Sequence, residues 1–315
     1  MQTNAGLGRY SAGMQGLHEE IEAFHAKIHA DGKEMSNRRA AIQCITRIIT
    51  AEFPGVRVEY FGSTLTGLLL PASDIDVVVV VDSHSGPAAW LRGCFAALRR
   101  HSEVRFTEVV THAKVPLLKL VDVATGMKLD LSCASMSNNN PPQGVANSNW
   151  IISAISRYPL LPKLVIVVKD LHEVYRRGVS SYTVNLMAIS FFQHQATGSN
   201  LGSLLLQFFQ YYGKDFDFDK QAIIVTGNGA IISKSDMKRR LGFVEMSTSL
   251  SIQDPVEVAR DAAAPSHRGM EALKRAFREA HDALQRAVDR STQAGDSVSF
   301  LEVIFDYNKR SCYLR

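Results

Sequence analysis

Cysteine is scarce in this chain and scattered: Cys44, Cys94, Cys133 and Cys312 are the only four in 315 residues, with no CxxC pair. That spacing excludes a zinc module and a disulfide framework, and it suits reduced thiols in a reducing compartment. Long apolar runs are also missing. The densest, 75–81 and 160–168, fall well short of the roughly 20 residues a membrane span needs. The opening MQTNAGLGRYSAGMQG has no charged region followed by an apolar one, and the first 24 residues hold only one Arg, Arg9. A secretory signal and an Arg-rich transit peptide are therefore not expected. Charge of one sign is not in large excess either. The 35 Lys and Arg against 31 Asp and Glu leave +4, which allows a polyanionic partner but excludes a histone-like arm. Leu7-Gly8-Arg9 carries no glycine-rich phosphate pattern, and no histidine is assigned a role.

What is present is enough apolar residue, 46% of the chain, for one large or two medium domains. Leu17, Ile21, Phe24 and Ile28 form one helical stripe, and a second helix is expected from Ser36 to about Glu52, ended by Pro54-Gly55. Strand signals follow at 56–61, 75–81, 104–110, 115–122 and 127–133, with a turn and short helix at 62–70 and a helix at 90–100. Ile75–Val81 is apolar on both faces, as a central covered strand is, and the last two strands are joined by the Ala-Thr-Gly turn at 124–126. This predicts a helix-flanked, largely antiparallel sheet. The polar, Pro-containing stretch 135–148 marks a domain boundary, after which helices are expected at 149–157, 161–177, 182–195, 201–212 and through Met270 to Val288.

Ser73-Asp74-Ile75-Asp76 leads into five valines. Carboxylates at i and i+2 of a strand share a face, so Asp74 and Asp76 project together. By itself this is also what a solvated strand start looks like. Two further features favour a site. Gly62-Ser63 closes the preceding strand ten residues before Asp74, and backbone N–H groups at a helix start can hold a phosphate. Asp130 lies in the alternating Lys128-Leu129-Asp130-Leu131-Ser132, a strand whose hairpin partner is expected beside the Asp-x-Asp strand. Three carboxylates at one sheet edge, facing a phosphate-holding turn, suit divalent cations and phosphoryl transfer.

Phe61-Gly62-Ser63, ten residues, Asp74-Ile75-Asp76 and the later Asp130 resemble the signature of the DNA polymerase β-like nucleotidyltransferases. SSYTVNLMAISFFQ at 180–193, LGSLLLQFFQYYG at 201–213 and LSIQDP at 250–255 resemble the central domain and nucleotide recognition motif of non-canonical poly(A) polymerases and terminal uridylyltransferases, especially the TRAMP-type enzymes. The resemblance runs from about residue 17 to 290. It implies an α+β protein with a mixed-sheet, polymerase β-like palm domain at 36–148. A mainly helical central domain would comprise 1–35 and 149–315, with the cleft between the two.

The resemblance further implies that Asp74, Asp76 and Asp130 are catalytic and bind two Mg²⁺ ions, with Mn²⁺ as the alternative, and that Asp130 assists deprotonation of the RNA 3′-hydroxyl. Gly62, Ser63, Lys169 and Ser181 would meet phosphates, Asn147 and Ser148 sugar and base, Tyr182 the base face, and Asp254 and Arg260 the base. Two have a plainer alternative: Lys169 as a lysine snorkelling from an amphipathic helix, Tyr182 as packing. The chain departs from some relatives in having Glu173 where a second phosphate lysine stands, with Arg176 or Arg177 as its replacement or as a solvated helix end. Arg260 stands where uridylyltransferases have histidine and poly(A) polymerases often asparagine, so ATP and UTP both remain as substrates. Lys274, Arg275, Arg278, Arg286 and Arg290, interleaved with acids, read as a solvated face, or in the sharper alternative as an RNA path.

The expected activity is template-independent addition of ribonucleotides to an RNA 3′ end, AMP from ATP first and UMP second. A silent RNA-binding scaffold and a nucleotidyltransferase acting on another acceptor are the rivals. The length leaves no room for a separate RNA-binding module, so weak RNA affinity and a recruiting partner are expected, by resemblance a zinc-knuckle protein and a helicase. The same resemblance implies the nucleus, with cytoplasm and mitochondrion as alternatives, and no membrane.

Overall fold

The computed structural model describes residues 10–29, 32–71, 73–82, 86–110, 115–135, 140–175, 179–242, 249–263, 267–296 and 298–305. Arg176, Arg177 and Cys312 lie outside them. The chain divides into two compact units, residues 28–153 and residues 1–27 with 154–315.

The first unit is built on a five-stranded sheet of order β1-β2-β5-β4-β3. Its strands are β1 (Arg57–Phe61), β2 (Ile75–Val81), β3 (Val104–Val110), β4 (Leu117–Asp122) and β5 (Lys128–Ser135). Pairing is antiparallel except between β2 and β5, which run parallel. The sheet is thus mixed, and the expected neighbour relation is corrected: Asp130's own strand, not its hairpin partner β4, lies beside the Asp-x-Asp strand. Sequence alternation identifies strands, but it carries nothing about a parallel partner more than 50 residues away, as in Asp76↔Asp130.

Helices α2 (Gly32–Glu52) and α4 (Pro87–Leu98) cover one face. Ala41, Ile45, Ile48 and Ile49 of α2 and Leu91, Cys94 and Leu98 of α4 interlock with Ile75, Val77, Val79, Leu118, Leu120, Leu129 and Leu131. Each fully buried aliphatic side chain contributes about 1.5–3 kcal/mol, so this layer fixes the register of every central strand. Burial pushes the thiols of Cys94 and Cys133 up to about 12 and about 11, so both are inert at neutral pH. Helix α3 (Gly62–Thr66) continues directly from β1, and α5 (Gln143–Arg157) begins six residues before its expected start at 149.

The second unit is mainly helical. It contains α1 (Gly13–His29), α6 (Leu161–Tyr175), α7 (Ser181–His194), α8 (Leu201–Gln210), a π-helical turn (Tyr211–Asp215), α9 (Lys234–Leu241), α10 (His267–Ala294) and a 3₁₀ turn (Leu301–Val303). Phe191, Phe208, Phe209, Tyr212 and Phe277 fill its centre, in tilted and edge-on pairs with ring centroids 5.0–5.5 Å apart between Phe208 and Phe191, Tyr212 or Phe277. The Tyr212 hydroxyl donates to Met187 O at 2.8 Å. Not anticipated was a small sheet of order β7-β6-β8, formed by β6 (Gln221–Ile224), β7 (Ala230–Ser233) and β8 (Ser251–Ile252). Strands this short show too few alternations to be read from periodicity. No helix among the described residues is long and apolar enough to cross a membrane.

Candidate active site

β2 and β5 run parallel with Asp76 directly beside Asp130. Paired residues share a face, so the two carboxylates stand on the side of the sheet opposite α2 and α4. Asp74 lies just ahead of β2. Burial and then the charge of Asp74 raise the Asp130 carboxyl above its ordinary value, while Lys119 opposes the shift. This is the condition a divalent cation relieves. An all-carboxylate oxygen set suits Mg²⁺ or Mn²⁺ and offers no soft ligand. Asp74, Asp76 and Asp130 are therefore the residues that can hold the metal. Among the described residues, however, no three acidic, His or Cys side chains stand gathered at ligand distance.

The turn that opens α3 is packed onto this edge. Gly62 has φ +65, and a Cβ there would lie 2.2 Å from Asp76 Oδ2. Both the left-handed backbone and the close approach demand glycine. Its N–H donates to Ser148 Oγ at 2.9 Å, and that hydroxyl donates onward to Gly144 O at 2.7 Å. Ser148 thus ties α5 to the turn through Gly62, the residue before Ser63. Asn147, also buried, accepts from Gln143 Nε2 at 2.9 Å. At Gly144 a Cβ would lie 2.6 Å from the Phe61 ring, so α5 too comes close to the end of β1.

One residue that sequence reasoning missed holds the backbone of Ser73, immediately before Asp74. Arg38 of α2 is 1% exposed. Its guanidinium donates to Ser73 O at 2.7 Å and to Glu34 Oε1 at 2.7 and 3.0 Å. Ser73 Oγ in turn accepts from Leu70 N. The loop before the Asp-x-Asp pair is thereby fixed on both sides. No motif marks Arg38, because its partner is a backbone carbonyl 35 residues away.

In the other unit, Asp254 follows β8 and is fully buried. Its Oδ1 accepts from the N–H groups of Val256 (2.9 Å) and Glu257 (3.0 Å), and its Oδ2 from the Arg260 guanidinium. Arg260 also pairs with Glu257 at 3.0 Å and is 37% exposed. Asp254 therefore shapes the turn that follows β8, and Arg260 is its accessible cation. Burial pushes the Tyr182 phenol well above its ordinary value and the Asp254 carboxylate adds to this, although the hydroxyl makes no hydrogen bond of good geometry. Tyr182, Asp254 and Arg260 thus form one group. Ser180 caps α7 by accepting from Thr183 N at 3.0 Å, which places Ser181 in the first turn. Lys169 is 4% exposed in α6, so it is buried and does not snorkel.

Comparison with known proteins agrees with this architecture. Residues 17–151 match the central palm domain of the mitochondrial-like poly(A) RNA polymerases, and residues 200–260 match the Cid1 family poly A polymerase model. The chain is 34% identical to the inactive non-canonical poly(A) RNA polymerase protein Trf4-2 of Drosophila melanogaster, over 87% of this chain and 69% of that protein. It is 32% identical to the poly(A) RNA polymerase cid14 of Schizosaccharomyces pombe, over 85% of this chain and 40% of that one. Its fold is that of the polymerase core of TRAMP, an RNA surveillance complex: the TM-score is 0.75 at 24% identity, covering 92% of this chain and 94% of that one. By these matches the chain belongs to the non-canonical poly(A) RNA polymerase family.

Proposed function

We propose that this chain is a template-independent RNA nucleotidyltransferase that adds AMP from ATP to RNA 3′ ends. The observation that carries the proposal is Asp76 beside Asp130, with Gly62 packed against Asp76, in a member of a polymerase family. The RNA 3′-hydroxyl oxygen attacks the α-phosphorus in line, the bond from that phosphorus to the β-phosphate oxygen breaks, and pyrophosphate leaves with the electron pair. Asp130 takes the hydroxyl proton. Two Mg²⁺ ions, or Mn²⁺, on Asp74, Asp76 and Asp130 would supply charge neutralisation for the triphosphate and for the leaving group.

Positioning is the work of the remaining residues. Gly62 and Ser63 orient the triphosphate, assisted by Lys169 and Ser181, while Asn147 and Ser148 line the sugar side. Tyr182 stacks on the base and the Asp254–Arg260 pair borders it. ATP is the first choice because the motifs resemble those of TRAMP-type enzymes. UTP is the alternative, because Arg260 replaces the residue expected in either class. A protein partner delivers the RNA, a zinc-knuckle protein and a helicase by the same resemblance, and we place the activity in the nucleus on that ground.

A second proposal, a catalytically silent RNA-binding scaffold, has one observation in its favour: the relative at 34% identity is an inactive protein. Against it, this chain keeps all three carboxylates. One assay separates them. Purified protein with Mg²⁺, labelled oligo(A) RNA and each NTP in turn is expected to extend the RNA with ATP. Extension with UTP alone would select the alternative substrate, and no extension with any NTP would select the scaffold.

A further inference from the structure

The sheet register places charges in two rows on the face that carries the carboxylates. The first row runs Phe61, Asp76, Asp130, Lys119, Glu108 across β1, β2, β5, β4 and β3. The second, one step nearer the strand ends, runs Lys128, Val121, Arg105 across β5, β4 and β3, with Asp74 just before β2. The three carboxylates Asp74, Asp76 and Asp130 thus gather at β2 and β5, while the bases Lys119, Lys128 and Arg105 all lie on β3 to β5, with Glu108 the one further acid there in these rows. Arg105 and Lys128 are exposed, and among the described residues neither has an ion-pair partner. Lys119 is 40% exposed and lies 3.5 Å from Glu108, a surface contact that contributes little.

Adjacent strands lie about 4.8 Å apart, so Lys119 stands one strand beyond the third carboxylate and Arg105 two. Cations spaced in this way on an open sheet, next to the group that would meet a 3′-hydroxyl, complement a phosphodiester chain. We infer that Lys119, Lys128 and Arg105 form the seat for the backbone phosphates of the last RNA nucleotides. This rests on the tailing activity proposed above and adds to it the direction from which the RNA arrives, over β5, β4 and β3 and away from β1. Arg105 and Lys128 are exposed, Lys119 is 40% exposed, and none of the three belongs to the apolar layer beneath α2 and α4, so their replacement is expected to leave the fold intact.

The test is direct RNA binding, which does not depend on turnover. Anisotropy with labelled oligo(A) is measured across a salt series for the full chain, for Lys119→Gln alone, and for Lys119→Gln, Lys128→Gln and Arg105→Gln combined, with thermal melting as the check on folding. The combined variant is expected to bind about tenfold more weakly and to lose about 2 from the slope of log K against log salt, at roughly 0.7 per phosphate contact on a single strand. In extension assays its KM for RNA rises while its KM for ATP stays put. Equal RNA affinity and slope in wild type and combined variant overturn the inference, as they would if the strip instead faced an acidic protein; so does a wild-type chain that binds no RNA. Loss of binding in the variant with no extension by the wild type would leave the RNA seat standing and sink the catalytic proposal alone.

Discussion

At the scale of single residues, Gly62 and Arg38 brace the carboxylate edge, the first against Asp76 and the second through Ser73. Gly62→Ala puts a side chain into a left-handed backbone, at about 1–2 kcal/mol, and drives it into the Asp76 carboxylate. Extension is expected to fall at least about a hundredfold, the scale on which misplaced reacting groups cost rate, with a modest drop in melting temperature. Near-normal extension would show that Asp76 tolerates displacement. Arg38→Met removes the buried cation that holds Ser73 O and Glu34. A loss of about 3 kcal/mol in denaturant unfolding is expected, together with a lower kcat, because the backbone of Ser73, immediately before Asp74, is no longer held. That the Asp pair, Gly62 and Asp130 lie together at one sheet edge was open to sequence reasoning, since their spacing along neighbouring strands implies it. Arg38 was not, because a side chain bound to a distant backbone carbonyl leaves no pattern. Nor was the inward use of Asp254, which depends on the fold of the turn after it.

At the scale of elements, local signals identified what local physics determines. Ile75–Val81 and Val104–Val110 are strands over the expected residues, the first because a run of β-branched residues has one good use, as a strand buried on both faces. Helix starts drifted: α2 begins at Gly32 and not at Ser36, and α5 at Gln143, right after Pro141-Pro142, where a proline pair reads as loop but also suits a helix entry. The parallel β2–β5 pairing and the two- and four-residue strands of the small sheet were hidden, since both are settled by tertiary neighbours. Close helix packing yields its own prediction. A Cβ on Gly213 would sit 2.7 Å from Arg278 N, backbone against backbone, so Gly213→Ala must push the π-helical turn off α10. A loss of about 1–3 kcal/mol, typical of overpacking, is expected in thermal melts, and an unchanged melting temperature would mean that the contact yields freely.

At the scale of the whole chain, the second unit is gathered from both ends of the sequence. Glu20 of α1 accepts from Ser299 Oγ (2.6 Å), Phe300 N (2.6 Å) and Leu301 N (3.0 Å), while Gly13 N donates to Ser291 Oγ at 3.0 Å. Burial raises the Glu20 carboxyl above its ordinary 4.5, outweighing these hydrogen bonds, which lower it. The folded state therefore holds this proton more tightly than the unfolded one. The stability this contributes is full below about 4.5 and is lost as pH rises through the higher folded value. The melting-temperature difference between wild type and Glu20→Gln is expected to move against the wild type from pH ~4 to pH ~7; a difference independent of pH would refute the assignment. The modest +4 also takes on a distribution at this scale: on one sheet face Asp74, Asp76 and Asp130 gather at β2 and β5, while Lys119, Lys128 and Arg105 lie on β3 to β5.

The most direct measurement is single-turnover extension of labelled oligo(A) with saturating ATP and Mg²⁺ by wild type, Asp76→Asn and Asp130→Asn, each checked for an unchanged melting temperature. Extension by the wild type and a fall of about a thousandfold or more in either variant are the results expected of a two-metal edge built on paired strands. Extension at the wild-type rate in either folded variant would contradict it.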